Sequence, residues 1–477
     1  MKRCIAIILF TLPFLSCWQQ NYNQKIITKP TNKVVKKIEK VNELMDDAVY
    51  YEGIRPKQYD NFEKLREIAS KEELIELTNH PNGVVQCYAF WALSYDKSVD
   101  LFPIVLNHIN DDKLVKTQFG CIGGQEMVGD FFISVAEFDS IQSVKLDSIL
   151  IYSDSKLYAR SNAIYRAKST NSLYPKIREL FTKDYDKNAL VNLAKYRKTE
   201  DVPLILNYKA ENDEYFYVYK AIQEFPHEDF LPLLERNLIK TFDETHHSVA
   251  LWRQLYKAIA IYKNQKAVEL LTVPFTQVQH ENMREYHINC IYNAIQENIS
   301  EIYYPLIWKL WIEENRMTPN VFQYLIKKDS IKVFEITKEK IIKSDKIFSA
   351  TIGLDSDDLD FTKNLVSMML DIVIKNDYDF GIKIILENIK STNVHLISIF
   401  TAKVIELKDK SFIAHLFERL ENADNPHVYL RITEALLSYH DATINERILE
   451  IRKINENLNK GWGSEELNKL LKEKNKN

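Results

Sequence analysis

A Pro-led apolar segment recurs along the chain, and this recurrence constrains the fold more than any other feature. Each copy has an aliphatic or aromatic residue, then Pro, then an aliphatic run, and the prolines are Pro103, Pro175, Pro203, Pro232 and Pro305. Proline is tolerated in the first turn of a helix, where its missing N–H would have no partner anyway. We therefore predict that each of these prolines begins an apolar helix.

A second repeated feature is a pair made of Ala and an aliphatic residue. The steps from Ala221 to Ala258 and from Ala258 to Ala294 are 37 and 36 residues, and further pairs begin at Ala92, Ala163 and Ala435. A small residue at a fixed place lets two helices approach closely. Aligning the pairs brings three good N-cap residue types into equivalent positions, namely Asn82, Ser153 and Asn425.

Composition supports the helical interpretation. The 477 residues include only 10 Gly and 13 Pro, a scarcity that argues against turn-rich all-β folds and favours helices with short connections. The formal net charge is −4, so the whole chain is not an electrostatic nucleic-acid binder, and we expect no nucleic-acid partner.

Residues 84–106 and 425–436 each place a small-aliphatic pair in a helix, and in 84–106 a short turn and a Pro-led second helix follow. This arrangement resembles a HEAT-like α-solenoid over about residues 70–440, and 80–125 is similar to units of HEAT-repeat lipoproteins from Bacteroidetes-type bacteria. The resemblance implies an all-α fold of stacked antiparallel helix pairs across 46–460, followed by a Lys-rich C-terminal helix or tail at 461–477. A non-repetitive helical protein is the alternative.

The N-terminus predicts export. Lys2 and Arg3 precede an apolar run at 4–15, which is shorter than the ~20 residues that a membrane-spanning helix needs and matches a secretory signal. The following Phe14-Leu15-Ser16-Cys17 resembles the lipobox of bacterial lipoproteins. That resemblance implies a signal peptide at 1–16, cleavage between Ser16 and Cys17, and diacylation of Cys17. An ordinary secreted protein with an incidental Cys17 is the alternative.

Residues 17–45 are predicted to be a tether rich in Lys, Asn and Gln. Pro30 argues against a continuous helix, and six lysines and one acid lie between Cys17 and Lys40. A solvated spacer is the favoured interpretation. The alternative is attraction of these lysines to anionic headgroups beside the lipid anchor.

Of the five cysteines, Cys4 lies in the predicted signal peptide and Cys17 is the predicted lipidation site, so the mature chain would keep Cys87, Cys121 and Cys290. Three widely spaced cysteines do not predict a disulfide framework. No CxxC or Cys/His cluster offers zinc ligands, and no ordered Ser, His and Asp set can be nominated. We therefore expect no metal, no cofactor and no catalytic residue, and we expect Cys87 and Cys290 to be small core residues.

The segment 120–130 holds four of the ten glycines without the spacing of a phosphate or dinucleotide loop. It is predicted to be a loop between two repeats. The alternative is a functional insertion on one rim, and its candidate interaction residues are Gly120, Cys121, Glu126 and Asp130.

Aromatic residues supply the last candidates. Tyr304, Trp308 and Trp311 lie at i, i+4 and i+7, on one helix face. Aromatic residues at this spacing predict inter-helix core. The alternative is an exposed strip of the kind that anchors protein interfaces.

These features together favour an extracytoplasmic, lipid-anchored scaffold that holds a protein or peptide partner. An immunity or inhibitor protein that captures a toxin is a special case of the same class. The alternative is an enzyme, because HEAT-like repeats also resemble those of phycobilin lyases. A pocket that gathers His or Cys with acids would favour the enzyme, whereas a broad aromatic or charged groove would favour the scaffold.

Overall fold

The computed structural model describes residues 22–246, 248–342 and 359–474, and the fold is all-α. The chain divides into two compact units, one ending at Ala210 and the other beginning at Glu211. A three-stranded sheet in the first unit is the only sheet among the described residues.

The first unit contains eleven α-helices and three strands within its described part. The helices are α1 (Lys29–Val41), α2 (Lys57–Ile68), α3 (Lys71–Leu77), α4 (Gly83–Ser94), α5 (Phe102–Asn107), α6 (Val128–Val135), α7 (Ser140–Tyr152), α8 (Tyr158–Arg166), α9 (Tyr174–Asp184), α10 (Lys187–Ala194) and α11 (Val202–Leu206). The strands are β1 (Leu44–Val49), β2 (Leu114–Gly120) and β3 (Ile122–Met127).

The second unit is helical throughout its described part. Its helices are α12 (Tyr215–Glu224), α13 (Leu231–Lys240), α14 (Val249–Ala260), α15 (Gln265–Thr272), α16 (Pro274–Gln277), α17 (Glu281–Glu297), α18 (Tyr304–Ile312), α19 (Pro319–Lys328), α20 (Ser330–Ile341), α21 (Leu359–Asn376), α22 (Tyr378–Ser391), α23 (Ile397–Leu407), α24 (Phe412–Glu421), α25 (Pro426–Leu437), α26 (Ala442–Ile454) and α27 (Gly461–Lys474). The last of these accounts for most of the predicted C-terminal helix or tail.

The Pro-led helices are confirmed. All five prolines lie at the first or second position of a helix, namely α5, α9, α11, α13 and α18. A 3₁₀ turn leads directly into three of these helices, at Thr199–Asp201, Glu228–Phe230 and Glu301–Tyr303. Proline therefore starts each helix without losing an internal hydrogen bond.

The alanines of the Ala-aliphatic pairs are buried as predicted. Ala221, Ala258 and Ala294 have no exposed surface, and their helices α12, α14 and α17 pack in that order. Toward the end of the second unit each helix also contacts the helix two positions further on, from α22 with α24 to α25 with α27. Contacts between helices that are near neighbours in the chain are those expected of stacked helix pairs; the solenoid itself stays a prediction.

Two of the three predicted N-caps are confirmed. Asn82 accepts the N–H of Val85 at the start of α4, and Asn425 accepts the N–H of His427 at the start of α25. The prediction for Ser153 was wrong. Ser153 ends α7, and the N-terminus of α8 is capped by a carboxylate from elsewhere in the chain, as described below.

The tether prediction was wrong for residues 29–45. Pro30 lies in the first turn of α1 instead of breaking it, and Val34, Val35 and Ile38 are buried. Helix α1 packs against α2. Its apolar residues recur at helical spacing, so the segment folds by burying one face despite its lysines.

The glycine-rich segment is not a loop, and that prediction was also wrong. Strands β2 and β3 form an antiparallel hairpin in which Phe119 pairs with Ile122 across a turn made of Gly120 and Cys121. Gly120 has φ +53°, a conformation that glycine adopts without a steric penalty and that primed hairpin turns require.

Strand β1 completes the sheet by pairing in parallel with β2, with Leu44 opposite Thr117 and Met45 opposite Gln118. The sheet order is therefore β1-β2-β3, with 64 residues of chain between the end of β1 and the start of β2. No helix in the described part of the chain is both long enough and apolar enough to cross a membrane.

Candidate functional site: an acidic, aromatic-lined cleft

A cleft of about 710 Å³ opens in the first unit beside the sheet. Its walls come from the C-terminal end of α4, the connection from α4 to α5, strands β2 and β3, and helix α6. A cavity of this size is within the range of ligand sites, which combine apolar walls with a few polar groups.

Aromatic rings form one wall of the cleft. Trp91 is half-buried and stacks on Phe62, with ring centroids 4.8 Å apart and planes at 23°. Phe62 is fully buried, so it fixes the orientation of the indole ring. Phe119 and Phe131 meet Trp91 edge-on at 6.4 and 6.0 Å between centroids, which leaves a rigid aromatic surface at the cleft.

The polar lining of the cleft is strongly acidic. Its carboxylates are Asp46, Asp96, Asp100, Glu126 and Glu137, and Lys97 is the one cationic side chain among the described lining residues. Lys97 is already paired with Glu137, with Nζ 2.7 Å from the carboxylate oxygen. The lining therefore keeps an excess of negative charge.

Two of these carboxylates also stabilise the rim. Asp96 accepts the backbone N–H of Ser98 at 2.9 Å, and Asp100 accepts that of Phe102 at 3.1 Å. The first contact, together with the Ser98 hydroxyl, lowers the pKa of Asp96. These bonds shape the connection between α4 and α5 that forms the mouth of the cleft.

Glu126 is the acid of the cleft whose pKa is raised. It lies on β3 opposite Val115 of β2, and no ion pair or hydrogen bond to its carboxylate is formed within the described part of the chain. Burial raises its pKa, and the negative charge of nearby Asp130 raises it further. A carboxylate held without a partner in this way favours a positively charged ligand.

Asp130 has a structural role close by. One carboxylate oxygen accepts the N–H of Ala159 at 2.8 Å, and the other accepts the N–H of Tyr158 at 3.0 Å. These are N–H groups of the first turn of α8, where a helix has no internal acceptors. Asp130 therefore joins α6 to α8 and is not directed into the cleft as a ligand group.

Asp130→Ala is expected to lower the free energy of unfolding by about 1–2 kcal/mol, as loss of an N-cap does. The pKa of Glu126 is expected to fall in the same variant because a repelling charge has been removed. Chemical denaturation measures the first effect, and an NMR titration of the Glu126 carboxyl measures the second.

Asp154→Ala is the matched control, because Asp154 is an exposed carboxylate in the same connection before α8. Equal destabilisation by both variants would contradict the capping role of Asp130.

The other sequence-predicted candidates do not meet at this cleft. Gly120 and Cys121 form the hairpin turn, where Cys121 is exposed, so only Glu126 of the glycine-rich segment lines the cavity. Trp308 and Trp311 are 4% and 3% exposed and stack at 5.5 Å, with Tyr304 edge-on to Trp308. The inter-helix core prediction is confirmed for Trp308 and Trp311, and Trp311 also meets Phe322 of α19 edge-on. Tyr304 is only half-buried. The alternative of an exposed strip is wrong for the two tryptophans.

Cys87 and Cys290 are buried, as predicted. In residues 22–246, 248–342 and 359–474, no three His, Cys, Asp or Glu side chains are placed to hold a metal ion. Ser16 and Cys17, the predicted cleavage and lipidation residues, lie outside the described residues.

Sequence reasoning missed Trp91, Phe119 and Asp46 as site residues. Trp91 lies within an apolar run that predicts only a buried helix, and Phe119 and Asp46 reach the cleft through the pairing of β1 with β2. The sequence holds a weak signal in Val115, Thr117 and Phe119, which are β-branched or aromatic and alternate with the polar Lys116 and Gln118, as is typical of a strand.

The sequence matches no model of a known protein family, and no curated protein is significantly similar to it. The fold and the chemistry of the cleft are therefore the features that indicate a function.

Proposed function

We propose that this protein is an extracytoplasmic interaction protein, tethered through lipid on Cys17, that holds a protein or peptide partner on a HEAT-like repeat body. The observation that carries the binding part of this proposal is the cleft, which combines a fixed aromatic wall with uncompensated carboxylates. The lipobox-like residues before Cys17 support the tether.

The cleft chemistry specifies the group that the partner presents. An aromatic ring attracts a cation placed over its face, and the attraction increases when the site is partly desolvated. Glu126 and Asp46 supply the opposite charge at the same cavity. A lysine or arginine side chain satisfies both requirements, because its stem can pack on Trp91 while its charged end meets the carboxylates.

The lining favours binding over catalysis. Acids and aromatic residues dominate it, and neither His nor Cys is among the described side chains that line the cavity. An aromatic, charged groove is the arrangement that distinguishes a scaffold from an enzyme of the lyase type. An immunity or inhibitor protein is a special case of the same proposal, in which the captured partner is a toxin.

Site-specific photo-crosslinking in the native host tests the proposal. A photoreactive residue at Tyr95, which is 52% exposed and lines the cleft, is expected to capture one discrete protein, and Trp91→Ala is expected to abolish the product. The control position is Tyr185, which is 67% exposed and does not line the cleft. The same products from both positions, or a product that survives Trp91→Ala, would contradict the proposal.

Binding of a cationic group is expected to depend on pH through Glu126. The pKa of Glu126 is raised in the free protein, and a bound cation favours its ionised form. Affinity should therefore be complete above that pKa and fall by up to about tenfold per pH unit below it. The pKa values of Asp96 and Glu137 in the same cleft are lowered, so these groups titrate at lower pH.

Isothermal titration calorimetry with a short lysine peptide measures the pH dependence of the affinity. The measurements run from pH 4 to 8, a range that includes the titration of carboxylates with a raised pKa. The norleucine analogue, which lacks only the ammonium group, should bind weakly at every pH. Glu126→Gln should remove most of the pH dependence, and an unchanged profile in that variant would assign the titration to another group.

A further inference from the structure

Helix α1 carries a continuous lysine face. Lys29, Lys33, Lys36, Lys37 and Lys40 are all exposed, and at 3.6 residues per turn they fall within an arc of about 100°. The buried residues of the helix occupy the opposite side. We call these five residues the lysine face. Because the opposite side of α1 is packed against the protein, the lysine face is directed toward solvent.

The positive charge of this face is not neutralised by the protein. None of the five lysines forms an ion pair within the described part of the chain. Glu39 is the only acid in the helix, and its carboxylate lies 3.8 Å from the ring of His80. Lys25, in the 3₁₀ turn just before α1, is also exposed and adds to the charge.

The spacing of the lysines is unfavourable for the helix itself. Lys29 and Lys33, Lys33 and Lys37, and Lys36 and Lys40 are like charges at i and i+4, which repel. These lysines repel one another and destabilise the helix, although the net charge of the whole chain is −4. A local feature that lowers stability in this way indicates a role other than folding.

We propose that the lysine face binds the anionic headgroups of a lipid bilayer. The charge complementarity is direct, because each lysine near an anionic surface contributes favourably and the contributions add along a cluster. Lys29 follows Cys17 by twelve positions in the chain, and a chain of that length reaches at most about 40 Å. A lipid on Cys17 therefore keeps α1 within reach of the membrane surface.

This inference depends on different residues from the cleft, and it rests on the proposed function only through the lipid at Cys17. A single lipid anchor leaves the protein free to rotate, whereas a second contact through a rigid helix fixes which side of the first unit faces the bilayer. The contact would be electrostatic, and so it is expected to weaken with salt.

The test uses residues 18–477, which lack the lipid and contain every described element. Sedimentation with vesicles of phosphatidylcholine containing phosphatidylglycerol should show binding, and vesicles of phosphatidylcholine alone should show little. Replacing the five lysines of the face by Gln should reduce the partition coefficient on the order of 1,000-fold or more. Raising the salt to about 0.5 M should have a similar effect.

A matched control replaces five exposed lysines elsewhere, Lys71, Lys168, Lys209, Lys410 and Lys453, by Gln. This variant has the same net charge, and it should retain most of the vesicle binding. Circular dichroism and a thermal melt confirm that both variants are folded. Equal loss in the two variants, or equal binding to neutral and anionic vesicles, would overturn the proposal.

A duplex oligonucleotide provides the last arm. If the protein binds the duplex at physiological salt but does not bind the anionic vesicles at that salt, the lysine face is a nucleic-acid surface and the membrane proposal is wrong. Failure of the lipid arm leaves the cleft proposal standing, because the lysine peptide titration does not involve α1.

Discussion

Ala258→Glu is expected to destabilise the protein by about 4 kcal/mol or more, an exceptional effect for a single substitution. Ala258 has no exposed surface, and its helix α14 packs between α12 and α17. The new side chain would either push these helices apart or bury a carboxylate without a partner, and both alternatives are costly. The expected result is a large drop in the denaturation midpoint, with partial unfolding at room temperature.

Ala250→Glu is the matched control for this substitution. Ala250 is in the first turn of the same helix and is exposed. A glutamate there meets the favourable end of the helix dipole and should leave stability within about 0.5 kcal/mol of the original. Urea denaturation followed by circular dichroism compares the two. Similar midpoints would show that α12, α14 and α17 do not pack as closely as their alanines indicate.

The parts of the fold that could be predicted from sequence are those specified by local chemistry. Proline at a helix start, Asn at an N-cap and Ala at a close approach each act through neighbours in the chain or through one repeated contact. Pro232, Asn425 and Ala258 all occupy the positions that these rules predict. The Pro-led segment and the Ala-aliphatic pair each recur several times along the chain, and this recurrence supports a helical repeat more strongly than one copy of either would.

The sheet could not be predicted in this way because its pairing is not local. Strand β1 contains Asp46 and Asp47, residue types that are uncommon in strands, and its partner is far along the chain. The glycines of β3 are typical of turns, so the sequence of this segment predicts a loop where the structure has a hairpin. Only the tertiary pairing of Leu44 with Thr117 makes these segments strands.

The candidate site was predicted only in part for the same reason. Glu126 and Asp130 were both named from the sequence, but the structure separates their roles: Glu126 lines the cleft and Asp130 caps α8. The capping role depends on α8 lying beside α6, and the exposure of Trp91 depends on the space that the hairpin leaves. Neither can be inferred from residue spacing along one helix.

Helix α1 was not predicted from the sequence for a different reason, which is its lysine-rich composition. Its composition predicts a solvated spacer, and Pro30 is a helix breaker in most positions. In the first turn proline is compatible with a helix, and the apolar spacing of Val34, Val35 and Ile38 then gives the segment one face to bury. The lysines that argued for a tether become the exposed face of a packed element.

Cys17→Ala is expected to release the protein from membranes. Two acyl chains on one residue provide stable anchoring, because burial contributes about 0.8 kcal/mol per CH₂ group, whereas weaker attachments are reversible. The lysine face of α1 alone gives a salt-sensitive contact. After a wash in high salt, the Cys17→Ala protein should be almost entirely soluble and the original protein almost entirely in the membrane fraction. Labelling with a fatty-acid analogue should be lost in the same variant.

Cys121→Ala is the matched control, since Cys121 is an exposed cysteine at the hairpin turn with no lipobox-like residues before it. It should remain in the membrane fraction and keep the fatty-acid label. If Cys17→Ala stays membrane-bound after the salt wash, the lipid on Cys17 is not the anchor, and the uncut apolar run at 4–15 becomes the attachment to test. If it is released but still labelled, acylation occurs at another cysteine, and Cys121 is then the residue to replace next because Cys87 and Cys290 are buried.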